Sequence, residues 1–194
     1  MAEIAHDNLP VVPFASQAEW ESWLEEKHSS SAGLWLKIAK KASGLPTVAF
    51  GEAIDVALCY GWIDGQRRGY DDVWYLQRFT PRRPRSRWSE INQERVRLLT
   101  EQGRMRPAGI AEVERAKEDG RWDEAYASPS KMQVPDDLQR ALNDELSVAD
   151  AYAALKSADR YSILYHLHHT KTPEARARII EEFVKGLSAS ADDD

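Results

Sequence analysis

Five arginines, two prolines and a tryptophan crowd the segment Leu76-Gln-Arg-Phe-Thr-Pro-Arg-Arg-Pro-Arg-Ser-Arg-Trp88. Pro81 and Pro84 stiffen the backbone around Arg82 and Arg83. The loop is thereby expected to present Arg82, Arg83, Arg85 and Arg87 as fixed, fork-shaped donors, with Arg78 and Thr80 sharing one face of a preceding strand. Such a cluster suits phosphate, carboxylate or nucleic acid. Trp74, Tyr75, Phe79 and Trp88 interleave with it and add stacking on a base or another planar group. The competing reading is that these arginines pair with the protein's own surplus acids.

Charge distribution supports a local site. The chain carries −6 overall, yet Trp62 to Arg106 holds 11 arginines, 6 acids and no lysine, a balance of +5 that leaves −11 for the remainder. Arginine without lysine points to forked hydrogen bonding or ring stacking rather than mere solubility. An overall pI near 5.5 argues against a dedicated nucleic-acid binder. A small anionic or planar ligand is the expected partner, with nucleic acid the weaker alternative.

Other groups could do chemistry. Asp64 and Gly65 follow Cys59-Tyr-Gly-Trp-Ile at the junction of a helix and a strand, where they either place a carboxylate in a site or shape a bulge or turn. Glu52 and Asp55 stand at i, i+3 on the preceding helix and would join Asp64 as acids, or face solvent. Cys59 is a nucleophile only if the fold brings it a base, and is otherwise a small buried hydrophobe. His166, His168 and His169 lack the spacing and company of a zinc site and suit a helix C-terminus. Phosphate-loop, dinucleotide-binding and GxSxG signatures are absent, so no cofactor and no metal are expected.

The elements that must position these groups read as α+β: a small antiparallel sheet packed with helices, followed by a C-terminal all-helical module. Ser16-Gln-Ala-Glu19 is a capping box opening a helix over 17–27, with Trp20, Trp23 and Leu24 inward. Strands are predicted over 34–40 and 73–80, with an extended start at Trp62, and a helix bearing Phe50, Ile54, Ala57 and Leu58 ends at a left-handed Gly61. Ser89 caps a helix with Ile91, Val96, Leu98 and Leu99 on its apolar side, and Pro107 starts another ending near Gly120. Helices are predicted over 136–143, 147–155, 157–169 and 173–185, the last closed by Gly186. The domain reading is an N-terminal α+β domain over 11–126, a helical module over 135–187 and a frayed acidic tail over 188–194. One cysteine permits no internal disulfide, no run approaches the roughly 20 apolar residues of a membrane span, and the first thirteen residues lack a basic-then-apolar export pattern. A cytoplasmic location is therefore expected.

Two long stretches resemble a known family. Glu52-Ala-Ile-Asp-Val-Ala-Leu-Cys-Tyr-Gly-Trp-Ile-Asp-Gly-Gln66 and Tyr75-Leu-Gln-Arg-Phe-Thr-Pro-Arg-Arg-Pro-Arg-Ser-Arg-Trp-Ser89 look like the signature of the YdeI/OmpD-associated, or bacteriocin-protection, proteins. Asp159-Arg-Tyr161 through Lys171, with Pro173-Glu174, Arg176 and Arg178, is similar to that family's helical module. The likeness runs from about Phe14 to Leu187. It implies links to an outer-membrane porin, to envelope resistance and to a periplasmic location, and it brings no catalytic residues. It gathers Trp62, Asp64, Gly65, Arg78, Arg82, Arg83, Arg85 and Trp88 into one expected ligand site. Two functions follow: a stress-protection or binding protein, or an enzyme using Asp64, Glu52 or Cys59 on a substrate held by the arginines.

Overall fold

In a computed structural model, residues 3–4, 7–144 and 146–191 are described. The chain divides into two compact units, the first ending at Ala125 and the second beginning at Tyr126.

The first unit is built on a five-stranded sheet of β1 (Glu3–Ile4), β2 (Pro10–Pro13), β3 (Leu34–Ala39), β4 (Trp62–Gly69) and β5 (Trp74–Pro81), in the order β1-β2-β3-β5-β4. All neighbours are antiparallel except β2 and β3. That pair is parallel because α1 (Gln17–Lys27) joins them as a crossover, the connection a parallel pair requires. Ser16 caps α1 by accepting the Glu19 amide at 3.3 Å, while the Glu19 carboxylate returns to the amide of Ala15 rather than to Ser16, at 2.9 Å.

Strand periodicity assigns the faces. Leu34, Leu36 and Ile38 of β3 align with Phe79, Gln77 and Tyr75 of β5, so these side chains share the helix-covered face. There Trp20 stacks on Trp23 at 5.5 Å, and Trp62 meets both edge-on, at 6.2 and 5.7 Å. The indole N–H of Trp20 donates to Ala53 O and that of Trp62 to His28 O, each at 3.1 Å, so neither ring is buried at the cost of an orphaned donor. The opposite face holds a smaller cluster of Leu9, Val11, Trp35 and Leu76.

Helix α2 (Phe50–Cys59) packs on β4 among α1, α3 (Glu90–Glu101) and α4 (Pro107–Glu118). Gly61 closes α2 with φ +74°, and Ser89 caps α3 by accepting the Asn92 amide at 3.2 Å. The apolar side expected of α3 is only half right. Val96 and Leu99 are buried, but Ile91 and Leu98 are 49% and 40% exposed. They lie seven residues apart on the outward stripe, because the inward one runs through Asn92, Arg95, Val96 and Leu99.

The second unit contains α5 (Asp136–Asn143), α6 (Leu146–Ala154), α7 (Ser157–His169) and α8 (Pro173–Ala191) around Leu138, Leu142, Val148, Leu164, Leu167 and Ile180. Gly186 does not close α8; the buried Leu187 beyond it draws the helix on to Ala191. Residues 192–194 of the expected tail lie outside the described residues. Arg176 ties three helices together, pairing with both carboxylate oxygens of Asp137 and donating to Leu167 O at 2.5 Å. Among the described residues no helix is long and apolar enough to cross a membrane.

Candidate functional site

Where β5 ends, the amide of Arg82 donates to Gly61 O at 2.9 Å and extends the β4–β5 pairing by one bond. The Arg82 side chain then turns inward. It is 5% exposed, its guanidinium carbon lies 3.4 Å from the centroid of the Trp88 ring, and its Nη1 donates to Arg87 O at 3.1 Å. Between these ends Ser86 closes a tight turn. Its amide donates to Arg83 O at 2.9 Å, and its hydroxyl accepts the Arg83 amide at 2.8 Å. Arg121, paired with Asp119, donates to Ser86 O at 2.7 Å, and Trp122 packs on Trp88 at 4.9 Å. Two guanidiniums thus hold the carbonyls of the turn from beneath while Arg83, Arg85 and Arg87 stand exposed. Arg83 and Arg85 form no ion pair and no side-chain hydrogen bond among the described residues.

Asp64 lies beside this base. The β4–β5 register slips between Asp64 and Arg67, so Gly65 and Gln66 together oppose Arg78 in a β-bulge. The buried amide of Gln77 reads the bulge, donating to Gly65 O at 2.8 Å and Gln66 O at 3.4 Å. Asp64 pairs with Phe79 and shares its helix-covered face. Burial pushes the Asp64 carboxyl above its ordinary value, opposed by its own backbone amide and by the charges of Arg82 and Arg95. Arg95 joins Asp55 at 2.5 Å and Gly51 O at 3.3 Å. Asp55 thus pairs with Arg95 between α2 and α3, and Asp64 on β4 lies in the field of Arg95 and of Arg82 beyond β5. Arg95 was missed in the sequence reading, although a cation one residue before Val96 and four before Leu99 on the inward stripe was a visible signal.

The expected site residues do not all meet. Arg82, Arg83, Arg85 and Trp88 form the turn, and Asp64 lies next to Arg82. Trp62 is 1% exposed within the aromatic core. Arg78 is one residue from Phe79 and so projects from the opposite face of the sheet, with Gly65 beside it, Arg78 Cβ being 3.7 Å from the position a Gly65 Cβ would take. On that face the Arg78 guanidinium lies 3.3 Å from the Asp7 carboxylate, which also accepts the indole N–H of Trp35 at 2.9 Å.

The other chemical candidates have local duties. Glu52 accepts the Ala49 amide at 3.0 Å at the start of α2. Cys59 is 2% exposed, and burial pushes its thiol up to about 11, so it stays protonated and unreactive near neutrality. His169 packs tilted against Tyr165 at 4.3 Å and places Nδ1 2.7 Å from the Tyr165 carbonyl. Among the described residues no three His, Cys, Asp or Glu side chains converge as a metal site. A cleft of about 720 Å³ opens between α3 and α4 over Val96, Met105, Val113 and Trp122. Its rim holds Glu90, Glu94, Glu101 and Glu114, and its cations are already paired, Arg97 with Glu94 and Glu101 and Lys117 with Glu114. That rim is electrostatically wrong for an anion.

Comparison with known proteins divides the chain as its fold does. Residues 12–112, which hold the two long motifs and the arginine turn, match the model of a domain of unknown function, DUF8412. Residues 131–189 match the model described as bacteriocin-protection, YdeI or OmpD-associated. No curated protein and no solved structure matches the chain. The chain belongs to the DUF8412 family, whose model spans its sheet unit, and the helical module that follows is similar to the YdeI/OmpD-associated family.

Proposed function

We propose that this protein binds a small anion, a carboxylate or phosphate on a compact or planar body, through the Arg83-Pro84-Arg85 turn. One observation carries the reading: Arg83 and Arg85 are exposed, with no ion pair among the described residues, on a turn that Arg82, Trp88 and Arg121 hold from below. A turn whose backbone is already held spares that part of the ordering cost of binding, which favours recognition. Binding rather than turnover is supported by the inert Cys59 and by the structural bond of Glu52. A role in stress protection accords with the description of the C-terminal family, and a lone cysteine that is buried and reduced suits the cytoplasm.

The test is a thermal-shift series with inorganic phosphate, citrate and nucleoside monophosphates on wild type and on Arg83→Ala/Arg85→Ala. A ligand at a hundred times its Kd should stabilise the wild type by about 2.7 kcal/mol and the double variant hardly at all. Equal stabilisation of both proteins, or none by any anion, rejects the reading. Arg82 is unsuitable for this test because its stacking on Trp88 is part of the fold.

A second reading makes Asp64 a proton donor or acceptor. What favours it is the upward push of burial on a carboxyl set beside Arg82. It requires a turnover that Asp64→Asn abolishes while anion binding persists.

A further inference from the structure

At the end of the sheet remote from the arginine turn, the last residues of β3 and β4 meet the first residues of β5. Lys37, Lys40, Lys41, Arg67 and Arg68 gather there with only Asp71 and Asp72 in the connecting turn. In a chain of net charge −6 that is a local excess of three positive charges. The Asp71 carboxylate is engaged by the backbone of its own turn, although its charge still acts on Lys37 and Lys40. It accepts the amides of Val73 and Trp74, both at 2.7 Å, and Lys40 donates to the Asp71 carbonyl, not to its carboxylate.

The cations rest on rings. Lys37 Nζ is 4.1 Å from the Tyr70 ring and 5.3 Å from that of Trp74, the Arg68 guanidinium is 4.7 Å from Trp35, and that of Arg67 is 3.9 Å from Tyr75. None of the three forms an ion pair with a carboxylate among the described residues. A cation held on a π face keeps its charge and the outward N–H donors of its head group. Register places two of them in one row: Arg68 and Lys37 both align with Leu76, so they flank it on the helix-free face about 10 Å apart. Tyr70, 38% exposed, stands at the edge of the same face.

We propose that this helix-free face, around Lys37, Arg68 and Tyr70, binds single-stranded nucleic acid without sequence preference. Charge complementarity selects a polyanion, and the ring-borne cations select one that offers flat bases as well as phosphates. A base can stack on the guanidinium plane of Arg68 and on the exposed Tyr70, contacts that an acidic peptide would leave unused. The surface is separate from the arginine turn, which begins eight residues along β5, so the two proposals stand or fall apart.

Fluorescence anisotropy of a labelled oligothymidylate of about 15 nucleotides, titrated with the full chain from 50 to 200 mM salt, tests the inference. Binding should weaken as salt rises. Each phosphate contact removed should flatten the log–log salt dependence by about 0.7, so Arg68→Gln should lose about that much and Lys37→Gln/Arg68→Gln about twice it. Arg68 is exposed, so the single variant serves even where loss of the half-buried Lys37 disturbs the sheet. Arg83→Ala/Arg85→Ala should leave the titration unchanged. Overturning results are no oligonucleotide binding at 50 mM salt, an unaltered slope in Arg68→Gln, loss in the turn variant instead, or equal displacement by polyglutamate of matched charge.

Discussion

Gly109→Ala should destabilise the first unit, although helix propensity alone predicts the opposite. Gly109 is buried on α4 over the C-terminus of α2. A β-carbon there would lie 2.3 Å from the Cys59 carbonyl oxygen and 2.6 Å from that of Leu58, both backbone atoms that cannot swing aside. Contacts below 3.0 Å are not tolerated, so α4 must retreat by at least 3.0 − 2.3 = 0.7 Å. The same Cys59 oxygen accepts the Arg106 amide at 3.1 Å, and that retreat stretches the bond to about 3.8 Å, beyond hydrogen-bonding reach. Overpacking costs about 2 kcal/mol and an orphaned buried carbonyl about 2 more, while Gly→Ala returns about 1 in helix propensity. The net loss is about 3 kcal/mol, or roughly 10 °C in Tm for a unit of this size. All seven tryptophans lie before Ala125, so a melt followed by tryptophan fluorescence reports this unit alone. An unchanged or raised Tm would refute the close approach of α4 to α2.

Two further predictions concern charge. In the folded protein the Asp64 carboxyl is pushed up by burial, so the folded state binds the proton more tightly than the unfolded one. Stability on this account falls as pH rises from the ordinary carboxylate range through the raised value, so Asp64→Asn should raise the Tm at pH 7 and lose that advantage below about pH 4; a lowered Tm at pH 7 would show that Asp64 chiefly neutralises Arg82 and Arg95. In the second unit the bond from Arg176 holds the Asp137 carboxyl below its ordinary value, a contribution present above about pH 4 and lost as pH falls through the depressed value. Arg176→Leu should therefore cost roughly 2 kcal/mol at pH 7 and less in acid, seen as earlier loss of far-ultraviolet circular dichroism with no change in tryptophan fluorescence.

What the sequence disclosed was mostly local. Caps, prolines and glycines placed α1, α3, α4 and α7 to within about a residue because those signals act within one turn of helix. The strand Pro10–Pro13 went unread: it is four residues long, bounded by prolines, and exists only because α1 returns the chain to lay β3 alongside it. The arginine cluster was legible as a cluster, but its faces were not. Arg78 and Phe79 are sequence neighbours and therefore lie on opposite sides of the sheet, and the two-residue bulge after Asp64 separates Asp64 from Gly65 in the same way. The bond from Arg121 to Ser86 that holds the turn and the bond from Arg95 to Asp55 that ties α3 to α2 span 35 and 40 residues, beyond the reach of any local pattern.

Two groups of cations in the first unit are held in distinct ways, and this division explains how an acidic protein keeps basic surfaces. On α3 and α4, Arg97, Arg115 and Lys117 pair with glutamates three or four residues away on their own helix, which cancels their field at short range and adds only a few tenths of a kcal/mol each. On the sheet and in the turn, Lys37, Arg67, Arg68 and Arg82 lie on aromatic rings. A ring orders a cation without cancelling its charge, so the potential above these residues stays positive although the whole chain carries −6. Arginine in place of lysine across Trp62 to Arg106 suits this arrangement, since a planar guanidinium stacks through its face and still offers its edge to an oxyanion. Helical ion pairs and ring-borne cations therefore mark, on one unit, surfaces that are electrostatically finished and surfaces that remain open to a ligand.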